Sequence, residues 1–438
     1  MHVPRTNQSK IHHSFDQPFI TALLGPRRVG KSTLVREYAQ KHESNAWVFL
    51  NMDHLDARQR IENGALKDLI QEGIQRQIGT RPKIWVAIDE AQKCPVLFDQ
   101  IKALYDQYKD TDTLKFILTG SGFLTLHQLS AESLAGRIEL HYLREFSLRE
   151  SACYAHAVEF PASSLFDRLC DSDPQAHLAQ HVASLAPFKP LLNASLEEEM
   201  LWGGLPEVLG LQKGDARRAY LANYLQAYLE KDIRALTTIT DLNLYHKLMD
   251  IIAEQTGSVR QDKTISEALG CSRDTLKKYR GFLSATLVYQ EVYPYIGSVL
   301  KRLVKTPKGY LLNNGLISYL TGLEELPVLQ KSGLIGHRFE NWFLKELQIW
   351  LDRESKRSAI YYWRTSGGAE VDFVVQRKPG VFPFEVTYSS RVQDKKIKNL
   401  RRFMQEESKA QIGFYVYMGD YNYDAKERIC FLPAWAVG

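Results

Sequence analysis

The sequence predicts an α/β chain of several domains, opening on a parallel sheet covered by helices on both faces. Three observations carry that expectation. Short, continuous apolar runs alternate with longer helical stretches from Phe19 to about Leu143. A glycine-rich loop with the spacing G-x-x-x-x-G-K-S sits between the first of those runs and a helical stretch. From Gly336 onward the pattern reads helix, strand, strand, strand, helix, strand.

The first strand candidates are FITALLG, AWVFLNM, KIWVAID, LKFILTG and RIELHYL. Strands that are apolar throughout belong between two helical layers, which is the setting of parallel sheets. A chain of 438 residues exceeds one ordinary core, so roughly two to four domains are expected. A 44% hydrophobic and 24% charged composition is that of a soluble globular protein, and a net charge of +5 permits nucleic acid without demanding it. No apolar run reaches the ~18 residues of a membrane span, and the N-terminus lacks the apolar core of a signal peptide. The cysteines, at 94, 153, 170, 271 and 430, lack CxxC spacing, so neither a zinc site nor a disulfide framework follows. A reducing, cytoplasmic location is the expectation.

In LLGPRRVGKSTLVREYA the glycines let the backbone curl so that N–H groups turn inward toward phosphate oxygens, and the following helix N-terminus adds a favourable dipole. The expected ATP-binding segment is Gly25, Pro26, Arg27, Arg28, Val29, Gly30, Lys31, Ser32 and Thr33. Lys31 reaches the β- and γ-phosphates in this reading, and the Ser32 hydroxyl ligates Mg²⁺. KIWVAIDEAQKC then runs apolar residues into Asp89 and Glu90, at a strand's C-terminal end, where open α/β sheets bind ligands. Asp89 is the second expected metal ligand, and Glu90 the group that orients and deprotonates the attacking water. KFILTGSG ends in Thr119, Gly120 and Ser121. Thr119 and Ser121 either contact the γ-phosphate or the water, or simply end a strand.

The order strand, phosphate loop, helix, IDEAQ, ILTGSG and SLAGRIELHYLREFSLRE resembles the AAA-type ATPases of bacteria and archaea that carry a C-terminal domain of unknown function. The resemblance continues through WGGLPEVL, YLQAYLEKDIRAL and GHRFENWFLKEL, so it spans nearly the whole chain. It implies ATP and Mg²⁺ as cofactors. It also implies that Arg137, in the Gly136–Arg137 pair, offers its guanidinium to nucleotide in its own subunit or a neighbour's, the second case implying a homo-oligomer. The competing reading of Arg137 is a surface ion pair.

The middle of the chain reads as helical. Tyr220, Tyr224 and Tyr228 recur every four residues beside Leu221, Leu225 and Leu229, a wide apolar helix face read as core rather than as a base-stacking platform. In TISEALGCSRDTLKKYRGFL, Thr264 and Glu267 fit a capping box, Gly270 a helix stop and Ser272 a new N-cap. Leu276, Tyr279 and Phe282 form the buried stripe, leaving Arg273, Lys277, Lys278 and Arg280 facing out. This is a helix-turn-helix pattern, and LVYQEVYPY with RLVKTPKGYLL supplies a β-wing. DNA and a protein partner are both open as its ligand.

The α-β-β-β-α-β order at the C-terminal end resembles the core of restriction-endonuclease-like domains. By the two-residue strand period Glu370 and Asp372 share a face, opposite Val371 and Phe373, and Glu385 and Thr387 share another. Glu340, Asp372 and Glu385 form a possible second metal site. Active nucleases of this type place a lysine where Thr387 stands, and Lys395, Lys396 or Lys398 on the next helix are the candidates to replace it. RVQDKKIKNLRR adds a basic tract whose Lys395 and Lys398 join Arg273, Lys277 and Lys278 as candidate nucleic-acid contacts, although Ile397, Leu400 and Phe403 give it a core side.

The combined expectation is a P-loop parallel-sheet ATPase domain over residues 1–150, a connector and helical domain over 151–255, a winged-helix-like domain over 256–330 and an α/β restriction-endonuclease-like domain over 331–438. Three functions remain open: an ATPase acting on DNA, an ATP-gated switch that docks a protein partner, and an ATP-licensed metal-dependent nuclease.

Overall fold

The computed structural model describes residues 3–75, 83–111, 113–121, 133–161, 165–168, 174–229, 241–297, 305–353, 358–378 and 380–438. The expected strands form as β1 (Ile20–Leu24), β2 (Ala46–Asn51), β3 (Ile84–Asp89), β4 (Leu114–Gly120) and β5 (Ile138–Tyr142). They make one sheet in the order β2-β3-β4-β1-β5, and every neighbouring pair is parallel. All strand C-termini therefore lie along one edge, which brings the loop after β1, the end of β3 and the end of β4 together. β1 is buried at all its positions, as its unbroken apolar run requires. One face packs Ile70, Phe98 and Ile101, and the other packs Leu34, Tyr38 and Trp85.

That second face continues into the middle of the chain: Leu201, Trp202, Leu221, Tyr224, Tyr245 and Leu276 share one core with β1 and the helix after it. Leu221, Tyr224 and Leu225 are core residues, as the apolar face predicted. The side chains of Tyr228 and Leu229, and the part of YLQAYLEKDIRAL beyond 229, lie outside the described residues.

In the middle segment helix Asp262–Leu269 ends at Gly270, whose φ of +64° is the left-handed turn expected of a glycine stop. Ser272 caps helix Arg273–Ala285 by accepting from the Thr275 N–H at 3.1 Å. The capping box is a correction: the first helix begins at Asp262, with Gln261 at its N-cap and no side-chain cap bond. Leu283, rather than the half-buried Phe282, completes the stripe of Leu276 and Tyr279. β7 (Tyr289–Pro294) and β8 (Lys308–Leu311) pair antiparallel, and β8 also pairs with β6 (Ser258–Val259).

The C-terminal segment follows the expected order: helix Ile335–Arg353, β9 (Ser358–Arg364), β10 (Glu370–Arg377), β11 (Gly380–Val386), helix Asp394–Glu406 and β12 (Gly413–Tyr417). β13 (Asn422–Asp424) and β14 (Ile429–Pro433), which the expected order did not include, extend it. The sheet order is β13-β14-β12-β11-β10-β9-β7-β8-β6, so the middle strands and the C-terminal strands form one continuous surface. β7 and β9 join through two residue pairs, Tyr293 with Tyr361 and Pro294 with Tyr362. On β10 the strict alternation fails. A register shift between Val371 and Val374 sends Val371 and Val374 into one core and Phe373 and Val375 into another. The expectation that Val371 and Phe373 share a face is thereby corrected.

The segments meet at buried charge. Lys345 on helix Ile335–Arg353 donates to the Phe146 carbonyl at 2.8 Å and pairs with Glu199 of helix Lys189–Trp202 and with Glu346 at 3.1 Å. Burial works against the Lys345 charge, yet the surrounding carboxylates hold the ammonium above its usual range. Burial pushes the Glu346 carboxyl up to about 7, against the pull of Lys345. The same carboxyl in the unfolded chain titrates near ~4.3. Between those values the folded state keeps a proton that the unfolded state has lost, so rising pH favours unfolding. In urea denaturation, wild type should lose on the order of 3 kcal/mol relative to Glu346→Gln between about pH 4.5 and 7. A difference that stays constant across that window would refute the assignment.

Candidate functional site

The loop after β1 is shaped by close approach. A Cβ on Gly25 would lie 2.0 Å from the Leu143 carbonyl oxygen, and Gly30 has a φ of +96°, so both positions need glycine. Arg28, with φ +65°, takes the same left-handed region without being glycine. Lys31 heads helix Lys31–Lys41 and folds back to donate to the carbonyls of Gly25 (2.9 Å) and Pro26 (2.8 Å). Ser32 Oγ donates to Asp89 Oδ2 at 2.7 Å, and the Thr119 hydroxyl bonds the other Asp89 oxygen. Glu90 has φ +53°, and its Oε2 accepts from Gln92 Nε2 at 2.7 Å and Ser121 Oγ at 3.3 Å. Thr119 and Ser121 thus orient the two carboxylates from behind.

These groups border a cavity of about 490 Å³ lined from the predicted set by Arg27, Arg28, Gly30, Lys31, Ser32, Thr33, Asp89 and Glu90. The Val29 side chain is instead in the core. Sequence reasoning missed Asp53, Pro206 and Glu207 in the lining. Glu207, from the WGGLPEVL stretch, pairs with Arg28 at 3.1 Å, so the middle segment borders the cavity. Arg5 was missed too: it donates to the Val29 carbonyl at 2.7 Å and pairs with Glu150 at 3.0 Å, supporting the loop from outside. Nothing local in the sequence marks Arg5, whereas Glu207 lies within the WGGLPEVL stretch that the resemblance picks out. Ser32 and Asp89 are hard oxygen donors side by side at the phosphate loop, a donor set that suits Mg²⁺.

Arg137 is at the opposite edge of the sheet. It immediately precedes β5, its carbonyl accepts from the Ile20 N–H, and its guanidinium makes two bonds to Asp106, at 2.9 and 3.0 Å. β1 carries the phosphate loop at its other end, so the role toward nucleotide in the same subunit is corrected to a bidentate ion pair with helix Leu97–Tyr108.

In the middle segment Arg273, Lys277 and Lys278 are exposed, as expected of the second helix. Arg280 is a correction. It is buried and makes two 2.8 Å bonds to Asp262, locking the two helices together.

The C-terminal carboxylates converge around a lysine. Lys396 donates to Asp372 Oδ2 (2.6 Å), Glu385 Oε2 (3.0 Å) and the Val386 carbonyl (2.8 Å), so the helix after β11 fills the gap that Thr387 leaves. Asp372 also accepts from the Val386 N–H at 2.8 Å. Burial raises the Asp372 carboxyl, but Lys396 and Lys308 outweigh it and hold it below the usual range. Burial and the neighbouring Asp372 push Glu385 well above that range. Burial pushes Glu340 up to about 7, against Lys308. Glu370 pairs with Lys308 at 2.5 Å, and Lys308 lies 3.7 Å from Glu340. Among the described residues no three His, Cys, Asp or Glu side chains are arranged to hold a metal ion. The expected set of Glu340, Asp372 and Glu385 is brought to one centre with lysines between its members. Lys395 and Lys398 are exposed, while Arg401 and Arg402 are engaged by Glu427 (2.6 Å) and Glu406 (2.9 Å), which shortens the expected phosphate track.

Comparison with known proteins finds three family matches along the chain. Residues 17–152 match the model of the AAA domain family, residues 193–326 a domain of unknown function (DUF8612) and residues 335–437 a domain of unknown function (DUF4143). With its sheet order and phosphate loop, the N-terminal part of the chain is an AAA-type P-loop ATPase domain. An uncharacterized protein of Mycobacterium tuberculosis is 23% identical over 432 residues, covering 98% of this chain and 83% of that one. An uncharacterized protein of Haemophilus influenzae is 23% identical over 342 residues, 76% of this chain and 75% of that one. Among solved structures, the Thermotoga maritima RuvB Holliday junction branch migration motor is 14% identical with a TM-score of 0.27, covering 66% of this chain and 90% of that one. The Aeropyrum pernix ORC1 protein in complex with DNA is 12% identical with a TM-score of 0.29, covering 76% of this chain and 95% of that one. Likeness at those scores carries no functional argument. No described helix is long and apolar enough to cross a membrane.

The geometry separates three neighbouring lysines. Lys396→Ala removes the ammonium that the buried Asp372 and Glu385 share and should cost about 3–5 kcal/mol in urea denaturation. Lys395→Ala and Lys398→Ala should stay within about 0.5 kcal/mol of wild type. Equal effects at all three positions would refute the lysine-centred arrangement.

Proposed function

We propose that the protein is a Mg²⁺-dependent ATPase whose nucleotide state acts on DNA through its middle and C-terminal segments. One observation carries the first half: the 2.7 Å bond from Ser32 to Asp89, which joins the phosphate loop to the strand-end carboxylate beside Glu90. Bound there, Mg²⁺ would neutralise charge on the β- and γ-phosphates. Lys31, with its ammonium on the Gly25 and Pro26 carbonyls, is within the same loop and would exchange those carbonyls for phosphate oxygens. Glu90 holds the attacking water and takes its proton, while Gln92 and Ser121 set its orientation. Lys31→Ala should abolish ATP turnover, and Glu90→Gln should bind ATP but lower kcat by about 100-fold or more. Normal hydrolysis by either variant sinks the reading.

The exposed Arg273, Lys277 and Lys278 on the second helix of the helix-turn-helix support a DNA partner over a protein one, because three cations on one helix face suit phosphates. Fluorescence anisotropy on duplex DNA should show weaker binding for alanine variants at these positions, and each cation removed should lower the salt slope by about one. DNA affinity unchanged in all three variants would favour a protein-docking switch.

A second reading rests on Lys396. Its placement between Asp372 and Glu385 restores the ammonium that Thr387 lacks, which supports divalent-cation binding and phosphodiester cleavage at this centre. Plasmid incubated with Mn²⁺ should be cut by wild type and left intact by Asp372→Ala. Intact plasmid in both removes this reading and leaves the ATPase untouched.

A further inference from the structure

Arg137 is held by Asp106 at the far edge of the sheet, so charge that develops on a γ-phosphoryl group in the same subunit falls to cations nearer the phosphate loop. The described residues lining the nucleotide cavity include three, Arg27, Arg28 and Lys31, and their settings differ. Lys31 heads its helix with the ammonium on the Gly25 and Pro26 carbonyls. Arg28 has a side chain 48% exposed and pairs with Glu207 toward solvent. Arg27 has a side chain only 11% exposed, and its guanidinium stands 3.7 Å from Glu90 Oε2. A buried guanidinium and the carboxylate placed to take a proton from water therefore border the same cavity.

Glu90 does not depend on Arg27 for its orientation. Gln92 Nε2 and Ser121 Oγ donate to the same carboxylate oxygen at 2.7 and 3.3 Å, whereas Arg27 at 3.7 Å is beyond hydrogen-bond length. Lys93, paired with Asp53, stands 3.9 Å from that oxygen and balances its charge from outside the cavity lining. The Arg27 backbone is anchored separately, because its carbonyl accepts from the Tyr224 hydroxyl of the middle segment at 3.3 Å. A long side chain on an anchored backbone can turn from carboxylate to phosphate by a change of rotamer, with the loop itself in place.

We propose that Arg27 is a catalytic residue of ATP hydrolysis, an arginine supplied by the phosphate loop itself that bonds the γ-phosphoryl oxygens in the transition state. The inference rests on the reading of this cavity as an ATPase site. In the reaction the water oxygen bonds to the γ-phosphorus and its proton passes to Glu90. The bond from that phosphorus to the bridging oxygen breaks, with its electron pair left on ADP. Negative charge spreads over the three equatorial oxygens as this happens. A planar, permanently charged guanidinium presents several N–H donors to such oxygens, and donors fixed in a site shielded from water stabilise them more than water does. Lys31 remains on the β- and γ-phosphates, so the two cations act at different oxygens.

Kinetics and binding on the full chain test this. Arg27→Ala should lower kcat by about 100-fold or more, while its Kd for a non-hydrolysable ATP analogue stays within about fivefold of wild type. Arg27→Lys keeps the charge but not the planar fork, and it should regain no more than about tenfold of that loss. ADP with aluminium fluoride, a mimic of the transferring phosphoryl group, should be trapped by wild type and not by Arg27→Ala, although both bind ADP. A smaller loss of kcat, or a raised KM with kcat unchanged, overturns the inference alone. Full recovery in Arg27→Lys does the same, as does aluminium fluoride trapped equally by Arg27→Ala and wild type. Loss of analogue binding by both Arg27 variants makes the residue a ground-state binding group and also overturns it. A wild type that hydrolyses no ATP overturns both the inference and the ATPase reading beneath it.

Discussion

The arrangement of the whole chain depends on one buried ammonium. Lys345 donates to the Phe146 carbonyl of the segment after β5 and pairs with the Glu199 carboxylate from the middle and with Glu346 of its own helix. Glu199 in turn accepts from Trp342 Nε1 at 2.9 Å and from the Ser151 hydroxyl. An ammonium taken this far from water is tolerated only when its acceptors are placed from several directions at once. Those directions are the three parts of the chain, so satisfying Lys345 fixes how they sit together. A neighbouring buried carboxylate repeats the device. Glu145 accepts from the Gly204 N–H and from Asn313 Nδ2, both at 2.8 Å, tying the end of the ATPase sheet to the loop that carries Pro206 and Glu207 to the nucleotide cavity.

This gives a physical route between the two candidate sites. The nucleotide cavity is bordered on one side by Arg28, paired with Glu207 of the middle segment. The middle segment reaches the carboxylate centre through Lys308 on β8. Both connections are made by ion pairs, of Arg28 and of Lys308, whereas the cores beneath them are extensive and apolar. Packed cores resist gradual deformation and ion pairs exchange partners readily, so changes of state are expected at the pairs and not within the cores.

Much of the fold was legible from the residues. Every strand of the first sheet, the turn at Gly270, the cap at Ser272 and the order of C-terminal elements follow from local patterns: apolar runs, a glycine in the left-handed region, a hydroxyl at an N-cap. The failures were local patterns that tertiary packing overrode. Thr264 and Glu267 have the spacing of a capping box, but the helix starts earlier, at Asp262, whose carboxylate holds Arg280. On β10 a bulge reverses the alternation that Val371 and Phe373 suggested, and no residue there announces it.

What the sequence determined by itself is the phosphate loop and its partners. Gly25, Gly30, Lys31 and Ser32 lie in one continuous stretch, and Asp89 ends a strand whose place in a parallel sheet brings it to the same edge. Short-range geometry and sheet topology suffice for that. Only the tertiary structure decided the fate of the isolated charges. Arg137 pairs away from the cavity, Arg280 is buried, and Lys396, not Lys395 or Lys398, enters the carboxylate centre, where Lys308 joins it from another part of the chain. A charge's partner is set by which distant side chains are buried beside it. That is a property of packing, and no local spacing encodes it.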